Sequence, residues 1–216
     1  LFKNILHFIN TEGILEPKYC KDIKMQGHSI TMILINTASR IREAIPAAEL
    51  DAQIDLSIES LQRYFVHPEF EALLETVGPN GEFIDNTMGR TINPGHCIET
   101  AWFLLEEAKY RNWDPKLTKM AVTILEWSWK WGWDKEYGGI INFRDCRGLP
   151  VQDYSQDMKF WWPQSETIIA SLYAYLATGD DMYLERHKLI SDWTYSHFPD
   201  PEGSEWFGYL HRDGTP

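Results

Sequence analysis

The chain is predicted to be all-α: successive helix pairs, joined by turn-rich segments with short β-hairpins, arranged as about half of a toroid. Three observations predict it. Apolar residues recur at helical spacing through most of the 216 residues. Glycine-punctuated runs of alternating apolar and polar residues fall between those stretches, as small hairpins require. The runs return at intervals of roughly 57–68 residues, the mark of a repeat architecture.

Taken in order, Phe2, Ile5, Leu6 and Ile9 form a short leading stub, followed by the glycine-containing run Thr11 to Leu15. Met25, His28, Met32 and Ile35 then make one apolar stripe of a helix reaching about Ala44. A second helix covers Leu50 to Val66 and stops before Pro68, which disfavours helical backbone in the residue ahead of it. The run Pro79 to Ile84 follows. Pro94 opens a helix reaching about Asn112, its missing N–H harmless in a first turn. Pro115 to about Trp129 completes that pair, and Glu136 to Phe143 is the next hairpin candidate. The last pair, Trp162 to Ala177 and Met182 to His197, turns tightly at Gly179-Asp180. Gly203 to Tyr209 repeats the hairpin pattern.

Six such pairs would close a ring, so three pairs and a stub make one domain, 1–216, that is part of a larger barrel. Its cut faces would expose apolar surface that monomers avoid. Leu1 is not an initiator methionine either, so the expectation is a longer polypeptide lacking N-terminal helices and last helices here.

Composition narrows the function. With 44% hydrophobic residues and 14% aromatics the chain can bury a substantial core. A formal charge of −12 without a Lys/Arg stripe argues against nucleic acid as partner. No run approaches the ~20 apolar residues that span a membrane, and the N-terminus lacks a signal-peptide pattern. Cys20, Cys97 and Cys146 are odd in number and without CxxC spacing, which reads as reduced thiols in a cytoplasmic protein. No metal-ligand spacing and no GxxxxGK phosphate loop occur, so no metal or other cofactor is expected.

The polar residues keep the period of the helices. His28, His96 and Glu166 each fall near the start of the first helix of a pair. Parallel first helices would carry all three to one end of a shared cavity. Histidine titrates near neutral pH and suits proton transfer on a small polar molecule. Glu99 lies one turn after His96 on nearly the same face. Trp162 lies four residues before Glu166, so ring and carboxylate share a face, a stacking plane with a hydrogen-bond acceptor for a small polar molecule. Candidate catalytic residues are therefore His96 and Glu166; candidate substrate-binding residues are His28, Glu99, Trp162 and Trp206. Tyr209 and Arg212 are candidates for the pocket rim. His7, His67, His187 and His197, and the alternating Trp127, Trp129, Trp131 and Trp133, read as packing or solvated positions.

Four segments carry a family resemblance. They are Asn93-Pro94-Gly95-His96-x-x-Glu99-x-x-Trp102-Phe103-Leu104-Leu105 after Gly89-Arg90, Lys159 to Glu166 (KFWWPQSE), Glu205 to Gly214 (EWFGYLHRDG), and the weaker Gly27-His28-Ser29-x-x-Met32-Ile33. Together the chain resembles the N-acylglucosamine 2-epimerase family, also called renin-binding protein. The resemblance implies an (α/α)6 barrel and reversible inversion at C2 of a reducing-end sugar. The name-giving activity interconverts N-acetylglucosamine and N-acetylmannosamine; relatives act on cellobiose or on mannose-type sugars. It implies that His96 is one of two acid/base histidines. The second, in a GCFHVPR-like motif, and a sugar-binding arginine do not occur in this sequence, so the chain alone is expected to be inactive. Some members use a nucleotide as an activator that is not consumed, a point on which these residues are silent. The expected partner is a small sugar, with a homodimer left open. A toroidal glycosidase using Glu99 and Glu166, and a non-catalytic binding protein, remain the alternatives.

Overall fold

The computed structural model describes residues 2–11, 14 and 24–216. Helix α1 spans Phe2–Asn10, and three pairs follow: α2 (His28–Ala44) with α3 (Ala48–Ser60), α4 (Pro94–Tyr110) with α5 (Pro115–Gly132), and α6 (Trp161–Thr178) with α7 (Asp181–His197). The expected order of helices is present. Cys20 and most of the run Thr11 to Leu15 lie outside the described residues.

The helix boundaries follow from local chemistry. Asn93 accepts a hydrogen bond from the His96 amide at 3.1 Å, Asp114 from Leu117 at 2.8 Å, and Asp180 from Met182 at 2.9 Å, each satisfying an amide that lacks a partner inside the helix. Pro94 and Pro115 take the first helical position in α4 and α5. Gly179 ends α6 in the left-handed region at φ 70°, where a side chain would be strained. The helix expected from Leu50 to Val66 loosens after Ser60 into a π-turn, Leu61–Phe65, that buries both Leu61 and Phe65. Met25 precedes its helix because Gln26–Gly27 are drawn into a strand pair instead.

The strands are where expectation and structure differ. Among the described residues four two-residue antiparallel ladders form: β1 (Gln26–Gly27) with β4 (Thr76–Val77), β2 (Val66–His67) with β3 (Ala72–Leu73), β5 (Thr91–Ile92) with β6 (Arg144–Asp145), and β7 (Lys159–Phe160) with β8 (Tyr209–Leu210). Three of them join the residues just before a first helix to residues beyond the second helix of the same pair. They are clamps across a whole unit, not local hairpins. The local pairings are β2 with β3 and the single bridges Trp133↔Ile140 and Pro199↔Trp206. The run Pro79 to Ile84 pairs with no strand. Gly78 and Gly81 close a turn there, and the Glu82 side chain takes the Asn80 amide at 2.8 Å, competing with a ladder.

The core is continuous across the three pairs, with Ile35, Ile54, Ile98, Leu104, Ala170 and Ile190 all inaccessible. Helix α4 is its hub, packed on α5, on α6 and on α2. A buried ion pair links α2 to α4: the Arg42 guanidinium forks onto Glu107 at 2.6 and 3.1 Å and also reaches Asp51 on α3 at 2.7 Å. Among the described residues no helix is long and apolar enough to cross a membrane.

Candidate functional site

Helix α6 comes unusually close to the start of α4. A Cβ on Gly95 would lie 2.6 Å from the Trp162 ring and 3.0 Å from Pro163, so only glycine permits the approach. The next residue, His96, sits against the same ring, with centroids 5.2 Å apart and planes tilted by 32°. Gln164 locks the geometry from beneath. Fully buried, its side-chain oxygen accepts from the Ile140 amide at 2.7 Å, and its nitrogen donates to the Ile140 and Phe160 carbonyls at 2.8 and 2.9 Å. A primary amide can complete a peptide's donor and acceptor at once, which explains a glutamine inside this apolar helix start.

His96 is anchored by a residue that the sequence reading missed. Its Nδ1 lies 3.1 Å from both carboxylate oxygens of Glu75. The same carboxylate stands 3.6 Å from Nδ1 of His28, whose Nε2 meets the Thr100 hydroxyl at 2.8 Å. Burial acts to raise the Glu75 pKa, but His28 and His96 more than reverse this and bring it to about 2. A signal was present: Glu75 is the one charge within the apolar run Ala72-Leu73-Leu74-Glu75-Thr76-Val77, and a lone charge in a buried run needs a partner.

On the open side stand two further carboxyls. Glu99 and Glu166 are each the sixth residue of their helix, α4 and α6. Burial, then the negative charge of Glu166, pushes Glu99 up to about 7. Burial also raises Glu166, partly offset by a hydrogen bond from the Trp102 indole at 2.5 Å. Trp102 in turn stacks on Tyr173, centroids 6.1 Å apart. A carboxyl raised to about 7, as Glu99 is, can donate as well as accept hydrogen bonds, as recognition of hydroxyl groups asks.

The structure therefore brings His96, Glu99, Trp162 and Glu166 together across α4 and α6. His28 joins them only through Glu75 and Thr100: it is fully buried and presents no surface. The repeat alignment of His28, His96 and Glu166 is inexact, because these are the first, third and sixth residues of their helices; the counterpart of Glu166 is Glu99. In α2 that place is taken by the exposed Ile33. Trp206 packs elsewhere, its ring 5.9 Å from Phe198 and 5.3 Å from Tyr195. Arg212 bonds Asp134 at 2.9 Å, beside the fully buried Lys159, whose Nζ is 3.3 Å from the same carboxylate. Tyr209 is exposed beside Phe160. An apolar cavity of about 240 Å³ opens between α1 and α2, lined by residues such as Ile5, Ile9 and Ile30 and by none of the candidates. Among the described residues no group of His, Cys, Asp or Glu could hold a metal ion.

Comparison with known proteins places this arrangement. Residues 34–216 match the family model for N-acylglucosamine 2-epimerase (GlcNAc 2-epimerase). The chain is 38% identical over 206 residues to the N-acylglucosamine 2-epimerase of Bos taurus, covering 94% of this chain and 48% of that protein. It is 31% identical over 220 residues to the Homo sapiens protein of the same name, covering 99% of this chain and 51% of the relative. It thus spans about half the length of the relatives it matches. In fold it resembles the cellobiose 2-epimerase of Bacillus thermoamylovorans, with a TM-score of 0.75 at 20% identity over 88% of this chain and 47% of that one. The helix pairs are accordingly part of an (α/α)6 toroid, and the chain belongs to the N-acylglucosamine 2-epimerase family.

Proposed function

We propose that the chain forms the part of a sugar 2-epimerase that carries one of its acid/base groups, acting on N-acylglucosamine and N-acylmannosamine. Inversion at C2 requires an opened ring, loss of the C2 proton and its return on the other face. His96 is the group suited to one of those transfers, since an imidazole gives and takes protons near neutral pH. The observation that carries the reading is the position of His96 between the Glu75 carboxylate and the Trp162 ring, with Glu99 and Glu166 on the neighbouring turns. Trp162 offers an apolar face to a sugar carbon, and Glu99 and Glu166 take hydroxyl groups. The N-acyl substrate is favoured by the similarity to the bovine and human proteins along nearly the whole chain. The other acid/base group, the sugar-binding arginine and any second subunit come from outside these residues in this proposal.

The test uses the full-length protein in deuterated water with N-acetylmannosamine. Solvent deuterium at C2 of the N-acetylglucosamine formed is the expected result, lost in His96→Asn. Product free of label at C2 would overturn the deprotonation mechanism. Release of a monosaccharide from a disaccharide would instead point to hydrolysis by Glu99 and Glu166.

A further inference from the structure

We propose that Glu75 is the positioning residue of this site: its carboxylate holds His96 in the tautomer with hydrogen on Nδ1, leaving Nε2 as the basic nitrogen. The proposal deepens the reading of His96 as an acid/base group, and its catalytic value rests on that reading. The tautomer itself does not.

The geometry leaves little choice for the nitrogen concerned. A carboxylate only accepts hydrogen bonds. With both Glu75 oxygens 3.1 Å from Nδ1 of His96, that nitrogen must be the one carrying hydrogen. The residue cannot shift along the chain to relieve the arrangement. Its own backbone is fixed on both sides, the amide donating to the Thr91 carbonyl at 3.3 Å and the carbonyl accepting from the His28 amide at 3.0 Å. One bond leads to the strand before α4 and the other to the first residue of α2, so Glu75 is built into the seam between two units.

His28 lies on the other side of the carboxylate. The Thr100 hydroxyl donates to the His96 carbonyl at 2.8 Å, and a carbonyl can only accept. The Thr100 oxygen is then free to accept from Nε2 of His28 at 2.8 Å, which turns Nδ1 of that ring toward Glu75 at 3.6 Å. The Phe65 ring closes the remaining side of His28, 5.8 Å away. Among the described residues, Cys97 and Glu99 on α4 also feel the Glu75 charge. The fold does not demand a charge here. In the third unit the residue before the closing strand is Gly208, whose carbonyl accepts from Trp161 at 3.3 Å just as that of Glu75 accepts from His28.

A carboxylate on one imidazole nitrogen fixes the ring, sets its tautomer and stabilises the imidazolium that forms when the other nitrogen takes a proton. The test needs no substrate: two-bond proton–nitrogen NMR of the histidine side chains, titrated with pH, on the wild-type chain, Glu75→Gln and Glu75→Asp. In the wild type, neutral His96 should carry its hydrogen on Nδ1. In Glu75→Gln the loss of negative charge should lower the proton affinity of His96 by about tenfold or more, with a mixed tautomer. Glu75→Asp should recover part of both. Thermal melting of each variant shows that the fold is kept. If His96 titrates identically in wild type and a folded Glu75→Gln, or carries its hydrogen on Nε2, the proposal is wrong and Glu75 merely packs the seam. If the NMR result holds while no C2 label appears in turnover, the epimerase reading fails and this one stands.

Discussion

Glu99→Gln is the perturbation whose outcome can be worked out furthest. The ordinary glutamate value is 4.5, and burial together with the charge of Glu166 raises Glu99 to about 7. Between those values the folded chain keeps a proton that the unfolded chain has released. Stability therefore falls as pH rises across that window and levels off above it. Each tenfold difference in proton binding is worth about 1.4 kcal/mol, so ionising Glu99 in the folded chain costs at most ~3 kcal/mol. Water reaching this partly exposed side chain brings the realistic figure to ~1–3 kcal/mol. Glutamine matches the protonated acid in shape and cannot ionise. At pH 8.5 the variant should be more stable than wild type by that amount, and the gap should shrink steadily toward pH 5. Urea unfolding of both proteins across this range measures it. A difference that does not change with pH, or a glutamine variant that is less stable at pH 8.5, would refute the assignment of Glu99 as a strained carboxyl. In the full-length protein, loss of the proposed epimerase turnover in the stabilised variant would show that this strain is retained for function.

Three other outcomes are expected. Gly95→Ala should cost ~1–3 kcal/mol by overpacking against Trp162, and the altered ring contact should change the near-ultraviolet circular dichroism. Gln164→Leu leaves the Ile140 amide and carbonyl buried without partners, so a loss of ~2–5 kcal/mol is expected in chemical denaturation. Trp102→Phe removes the indole hydrogen bond that opposes the upward shift of Glu166; carboxyl-carbon NMR should show Glu166 titrating at still higher pH, and an unchanged midpoint would contradict the contact.

The helices were legible because their signals are local. Pro94, Pro115 and Gly179-Asp180 each announce a helix boundary through the chemistry of a single turn, and the structure starts or stops helices within a few residues of them. The ladders were not legible, since Gln26 pairs with Val77 and Thr91 with Asp145. Two residues of backbone pairing leave no alternation to read, and nothing local names a partner some fifty residues away. The site divides the same way. His96, Glu99, Trp162 and Glu166 could be grouped from motif and helical phase. Glu75 could not, because its role arises from two helices meeting around a connecting segment. His28 was placed on the right helix, but one residue at a helix start decides between facing a cavity and facing the core. Trp206 illustrates the limit of aromatic counting: among ten tryptophans, most serve packing, and this one lies with Phe198.

The unit-spanning clamps divide each helix pair into two ends with unequal freedom. Within pairs the chain turns back through 45–47, 111–114 and 179–180, leaving almost no slack. Between pairs it wanders through 61–93 and 133–160, on the side where His96 and Trp162 stand. Because each clamp returns the chain to where its pair began, an insertion in these longer stretches is absorbed at the rim and does not shift the wall. Relatives can thus diverge in what they recognise by redrawing one edge of the ring while inheriting the rest unaltered.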